Sequence, residues 1–234
     1  MPSSTTVELS LGLDFGTQSV KAVIIDINAC HVVYTHSIGY QSARFSALGL
    51  LDDFLLPRLE EGEANQPAEL FVLALECVLE DLTSKVSLKD VVVVNVSAQQ
   101  HGHLLFSNIA EQVLDRLNIS SSTQPLSETL DGLFALPFMR TWMTSCTGEE
   151  AALTRKIVGG SEAMVEITGS DAPLRFSAFG MARTAKQHPK LFIGSQSGKF
   201  VQLSTLIPCI LAGKADLPLD YGNACGVSLM DYSK

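Results

Sequence analysis

Branched and apolar residues dominate three runs near the start of the chain, Val7 to Leu13, Val20 to Ile27 and His31 to Ser37. The pattern predicts three consecutive strands forming a meander, with turns after Leu13 and at Asn28-Ala29. Gly39 to Pro67, with Gly, Pro and the acidic cluster Glu60-Glu61-Gly62-Glu63, reads as an exposed excursion with room for one short helix. Between Ala68 and Thr83, Leu70, Phe71, Leu73, Ala74, Cys77, Val78 and Leu82 recur at helical spacing opposite Glu69, Glu76 and Glu80, so a helix packed on the sheet is expected. Pro67 suits its first turn. Val91 to Val96 is apolar on both faces, the pattern of a central buried strand, and the polar loop Gln99 to Gly102 leaves its end.

A strand over Leu104 to Phe106 comes next, then a second insertion from Ile109 to Asp131 whose run Ser120-Ser121-Ser122-Thr123-Gln124-Pro125 reads as mobile. The two variable excursions together cover about 39–67 and 109–135. After a short strand at Phe138 to Trp142, helices are expected over Gly148 to Ile157, Ser161 to Ile167, Ser177 to Gln187 and Gln202 to Leu211. Gly159-Gly160, Gly169-Ser170 and Pro189 mark their stops. Strands first, helices later and buried strands between them fit an α/β layered domain.

Composition narrows the class. A chain of 234 residues with 46% hydrophobic and 18% charged residues can bury a real core. Its formal charge of −9, with no basic run, argues against nucleic acid and anionic membrane as partners. No stretch reaches the roughly 18 apolar residues of a membrane span, and Met1 to Thr6 lacks the basic start and apolar middle of a signal peptide, so a cytoplasmic location is expected. Five widely spaced cysteines read as reduced thiols packed in apolar surroundings; Cys146 lies beside the candidate chemistry and is expected to be packed as well.

That chemistry centres on Leu11-Gly12-Leu13-Asp14-Phe15-Gly16-Thr17-Gln18-Ser19-Val20-Lys21, two apolar arms around a polar turn. Asp14 is a carboxylate able to hold a hydrated magnesium ion, Gly16 lets the backbone bend, and the amides of Gly16, Thr17 and Gln18 can face an anion beside Lys21. By its residues alone the same turn also reads as a β-hairpin with a polar tip.

Asp14-Phe15-Gly16-Thr17-Gln18-Ser19-Val20-Lys21 resembles the first phosphate motif of the sugar kinases that share the actin and chaperone ATPase fold. Gln99-Gln100-His101-Gly102 after its valine strand resembles the Gln-X-His-Gly substrate loop of the FGGY carbohydrate kinases, xylulokinases above all. Trp142 to Thr147 with Glu149-Glu150, then Val158 to Ala163, Ile167 to Ser170 and Leu219 to Gly226, resemble later stretches of that family in the same order.

The resemblance implies a ribonuclease H-like α/β domain, a mixed sheet flanked by helices, spanning residues 1–234 as the first half of a two-domain kinase whose C-terminal domain is absent here. It implies ATP and Mg2+ as cofactors and a sugar or polyol, a xylulose-like ketopentose first, as the phosphate acceptor. Asp14, through water, would orient magnesium; Gly16, Thr17, Gln18 and Lys21 would meet the phosphates; Gln100, His101, Gly102 and Thr144 would meet the sugar. Gln99 is expected to support the loop and His103 to be structural. Two positions depart from the family: Thr144 and Asn223 stand where aspartates are usual. The family's general base lies in the second domain, so the chain alone is expected to be inactive; the alternative is a non-catalytic binding module or degenerate kinase remnant. Exposed cleft surface is expected to favour self-association into homo-oligomers.

Overall fold

The computed structural model describes residues 7–119, 124–194 and 198–232. The first sheet is built by β1 (Leu9–Phe15), β2 (Ser19–Asp26), β3 (His31–Gly39) and β5 (Val91–Ala98), in the order β3-β2-β1-β5. Its first three strands form the expected antiparallel meander, while β5 runs parallel to β1. Alternation decides what each strand buries: Leu9, Leu11, Leu13 and Phe15 of β1 and Val20, Ala22 and Ile24 of β2 face one side. Helix α1 (Glu69–Thr83) lies over that side with Leu70, Phe71, Ala74, Leu75, Val78 and Leu82 inside one continuous core. Each of the Leu, Phe and Val side chains contributes about 1.5–3 kcal/mol through apolar burial.

The second sheet is antiparallel, in the order β4-β7-β6-β8, from β4 (Asn65–Pro67), β6 (His103–Phe106), β7 (Phe138–Arg140) and β8 (Lys199–Gln202). Around it stand α2 (Ala110–Ile119), α3 (Leu126–Thr129), α4 (Gly148–Val158), α5 (Ser161–Thr168), α6 (Ser177–Gln187), α7 (Leu203–Ala212) and the short α8 (Tyr221–Cys225). Glu76 on α1 joins the layers by accepting the backbone N–H groups of Leu126 and Ser127 at 3.1 and 3.2 Å, at the start of α3. Ala151, Met164, Ala172 and Phe179 form a smaller core among α4, α5 and α6.

Several expectations need correction. β5 is an edge strand, not a central buried one: among the described residues its outer side has no partner strand, and Val92, Val93 and Val94 are 60, 49 and 43% exposed. An apolar run records what a strand can bury and not whether its neighbours are present. The face of this sheet opposite α1 carries an open hollow of about 630 Å3 between Gly12, Val23, Ser37 and Asn95.

The first excursion is held down by Tyr40, Phe45 and Leu55, all at most 2% exposed, and it ends in β4, whose three residues are buried. The second contains α2, with Val113 and Leu114 buried; residues 120–123 of the expected mobile run lie outside the described residues. β8 was not legible, since Lys199 to Gln202 runs directly into the apolar helix α7. No helix among the described residues is long and apolar enough to cross a membrane.

The core makes a direct prediction. Phe71→Ala, which empties the contact between α1 and the first sheet, lowers stability by about 3–5 kcal/mol in urea unfolding; a loss under about 1 kcal/mol would mean that α1 is not anchored as described.

Candidate functional site

Two loops leave the same end of the first sheet. The turn between β1 and β2 is closed by the Gly16 N–H donating to Ser19 O at 3.0 Å, so that amide is engaged inside the turn and does not face an anion. Gly16 does not need a left-handed backbone; its demand is space, because a Cβ there would lie 3.3 Å from Ser19 O. Asp14 and Lys21 are register partners and meet at 3.3 Å, with side chains 43 and 56% exposed. The Thr17 hydroxyl accepts the indole N–H of Trp142 at 2.9 Å.

The second loop follows β5. The Gln99 N–H donates to Phe15 O at 2.8 Å, extending the strand pairing to the base of both loops. Below it, Gln66 donates from Nε2 to Thr17 O and to Phe54 O, each at 2.9 Å, and the Gln99 Nε2 donates to Gln66 Oε1 at 2.7 Å. Buried amides thus tie the loops together, and Gln99 supports the loop as expected.

His101 takes a positive φ of 65°, a conformation that histidine adopts more readily than most side chains. Its Nδ1 donates to Gly226 O at 3.0 Å, and its ring stacks on Phe176 with centroids 4.8 Å apart. Burial pushes its pKa below the ordinary value of 6.5 against the raising effect of the Gly226 bond, with the Arg175 charge lowering it further. The ring is therefore neutral at pH 7 and keeps Nε2 as an acceptor.

His103 donates from Nδ1 to His101 O at 3.0 Å, and Ser177 donates its hydroxyl to the same carbonyl at 3.1 Å. Its structural assignment fits this contact. Complete burial lowers the His103 pKa to about 4.

Asp14, Gly16, Thr17, Gln100 and His101 line one hollow of about 360 Å3, joined by Gln99, Trp142 and Arg175. A volume of this order suits a small polar molecule. Four expected site residues lie off its wall. Gln18 points its side chain to solvent, and Lys21 reaches only toward Asp14 and the open sheet face. Gly102 is buried, its missing Cβ admitting Met139 Sδ, which would stand 3.1 Å from a Cβ. Thr144 is buried too, its hydroxyl donating to Ala64 O at 3.1 Å. Asn223 is held by Asp220, which accepts both its backbone N–H at 2.9 Å and its side-chain amide at 2.7 Å.

Arg175 and Trp142 were assigned no role from the sequence. Trp142 carried a signal as the one tryptophan of the chain, set in a polar stretch; Arg175 carried none, because only the third dimension brings it to the hollow. Cys146 is half-buried, its thiol pushed up by desolvation, and does not line this hollow. All five cysteines are free thiols; Cys77 and Cys209 are buried as expected of core thiols, whereas Cys30 is exposed.

Among the described residues no group of three His, Cys, Asp or Glu side chains could enclose a metal ion. Asp14, a single half-exposed carboxylate paired with Lys21, fits only an ion that keeps most of its waters.

No protein-family model matches the chain. It is 28% identical over 229 residues to the probable D-xylulose kinase A of Neosartorya fischeri, an alignment covering 97% of this chain and 38% of that protein. A "xyloylose kinase" from Brucella ovis superposes with a TM-score of 0.69 at 20% identity, over 96% of this chain and 38% of that one. The glycerol kinase of Plasmodium falciparum, crystallised with ADP, gives a TM-score of 0.66 at 15% identity, over 97% and 38%. The fold is that of the sugar kinases. The similarity to xylulose kinases read from the motifs thus extends along nearly the whole chain, which spans 38% of the length of the curated relatives it matches.

Two outcomes follow from the site's supports. Gly226→Ala would bring a Cβ within 2.6 Å of His101 Cε1, displacing the ring and lowering stability by about 1–3 kcal/mol in urea unfolding. The unfolded chain protonates its histidines below pH 6.5, while folded His103 resists until about pH 4. Because the folded pKa is depressed, the stability His103 contributes is present above pH 6.5 and about 3 kcal/mol of it is lost as pH falls to 4. Urea titrations across that window should show a shallower fall for His103→Asn than for the unmodified chain.

Proposed function

We propose that this chain is the substrate-binding portion of an ATP-dependent FGGY-type carbohydrate kinase whose acceptor is a xylulose-like ketopentose. The observation that carries this reading is the hollow of about 360 Å3 shared by Asp14, Thr17, Gln100 and His101, where the β1–β2 turn and the loop after β5 meet. The relatives' names supply the substrate class, and the ADP-bound glycerol kinase structure supports a nucleotide.

In this reading the neutral His101 ring, Gln100 and Arg175 hold the sugar hydroxyls, and the exposed Trp142 ring walls the hollow while its N–H steadies Thr17. The exposed side of the turn, at Thr17 and Gln18, receives the terminal phosphates, and the Gly16 amide, engaged within the turn, takes no part. Asp14 would hold magnesium through water, and the metal, when bound, would supply charge neutralisation for phosphoryl transfer. Among the described residues Asp14 is the one carboxylate lining the hollow, so the base that takes the acceptor's proton comes from a part of the complete kinase outside these residues. The chain by itself then binds sugar without turning it over. A non-catalytic binding module is the second reading, favoured by Thr144, which lies buried against Ala64 O where the family's aspartate would stand.

The test uses Trp142, the single tryptophan, as reporter. D-Xylulose, D-ribulose and glycerol are titrated while its emission is followed, and D-xylulose is expected to change it saturably. Arg175→Ala and His101→Ala are each expected to weaken binding at least about tenfold. No response and no calorimetric heat with any polyol would sink the reading, and turnover of ATP by the chain alone would refute the borrowed base.

A further inference from the structure

At Thr17 and Gln18 both backbone carbonyls are engaged on the inner side of the turn. Thr17 O accepts Gln66 Nε2 and Gln18 O accepts the Tyr40 N–H, each at 2.9 Å. The N–H groups of the same two residues meet no acceptor among the described residues. The Thr17 hydroxyl is committed in the same sense. An indole N–H can only donate, so Thr17 Oγ1, 2.9 Å from Trp142 Nε1, is the acceptor in that contact. A hydroxyl carries one proton, and that of Thr17 is left over with no protein partner among the described residues. The contact is exposed, and Thr17 and Trp142 both line the hollow, so a ligand can reach it. Thr17 and Gln18 thus present three donors and no free carbonyl, which is the chemistry of an anion site. Arg175 adds a positive charge to the same wall, while Asp14 on it is paired with Lys21 at 3.3 Å.

We propose that Trp142 is a positioning residue for phosphate: its indole N–H occupies the Thr17 oxygen and so commits the hydroxyl proton to a phosphate oxygen. The assignment rests on the phosphate reading of this turn given above, and adds to it a side chain 125 positions away that sets the polarity of a donor. A hydroxyl without such a neighbour turns freely and serves a water, a cation or an anion alike. With its oxygen occupied by a group that only donates, Thr17 favours an ionised oxygen over a hydrated cation. Trp142 therefore acts on the phosphate through Thr17 and not by touching it.

The test is a double-mutant cycle read with inorganic pyrophosphate in the presence of magnesium. Affinity is measured by calorimetry, and the indole N–H of Trp142, which is the single tryptophan, is followed by NMR. Pyrophosphate is expected to move that resonance saturably in the unmodified chain. Thr17→Ser, which keeps the hydroxyl, is expected to bind within about twofold of the unmodified chain, and Thr17→Val at least about tenfold more weakly. Trp142→Phe keeps an aromatic ring but has no N–H, and is expected to weaken binding about three- to tenfold. In the Thr17→Val background the same Trp142→Phe change is expected to cost nothing further, whereas a purely structural loss would cost the same in both backgrounds. Unchanged affinity in Trp142→Phe, or an equal cost in both backgrounds, overturns the assignment.

Should Thr17→Val fail to fold, the indole proton of the unmodified chain decides: its exchange with solvent slows when pyrophosphate is added, and exchange that ignores pyrophosphate overturns the assignment. A chain that binds D-xylulose but whose indole resonance does not respond to pyrophosphate loses this assignment and keeps the polyol reading. A chain that responds to neither loses both.

Discussion

The parallel pairing of β1 with β5 is the constraint from which the site follows. Parallel neighbours end at the same edge of a sheet, so the segments after Phe15 and Ala98 emerge side by side although about eighty residues separate them. The Gln99 N–H to Phe15 O bond marks that shared exit. Everything at the hollow is arranged around it: Asp14 and Thr17 from one strand end, Gln99 to His101 from the other, and Gln66 wedged between them from the second sheet.

The second sheet and its helices supply what the first cannot. Trp142 follows β7, Arg175 and Phe176 precede α6, and Gly226 closes α8, yet all three regions reach His101 or Thr17. Arg140 shows how firmly this support is built. It is 1% exposed, donates to Thr184 Oγ1 at 3.0 Å and to Gln187 Oε1 at 2.6 Å, and lies 5.5 Å over the Phe138 ring. Such contacts locate α6 against β7, and hence Arg175 at the hollow.

What could be read from the sequence divides along physical lines. The meander, α1 and α6 were legible because period and capping are local properties, and the Ser177–Gln187 helix has the expected bounds. The meeting of Asp14 with His101 was legible through motif resemblance, which carries tertiary information that no local pattern holds. Partnership was not legible. Val91 to Val96 reads as buried whether or not a neighbour covers it, Gly102 and Thr144 turn away from the hollow through packing against Met139 and Ala64, and Arg175 has no local signature. The burial of Gln66 shows the same limit, since a polar residue in a Gly- and Pro-bearing excursion gives no hint that it anchors two loops.

His101 carries one more implication. A non-glycine residue at positive φ stores conformational strain, roughly 1 kcal/mol or more, which surrounding contacts must outweigh. Here those contacts are a ring stacked on Phe176 and a bond to the carbonyl of Gly226, just past a helix of five residues. Without that short turn the histidine would be free to relax, and the loop's shape would go with it. The shape of this loop therefore depends on a clasp formed far along the polypeptide from the loop it secures.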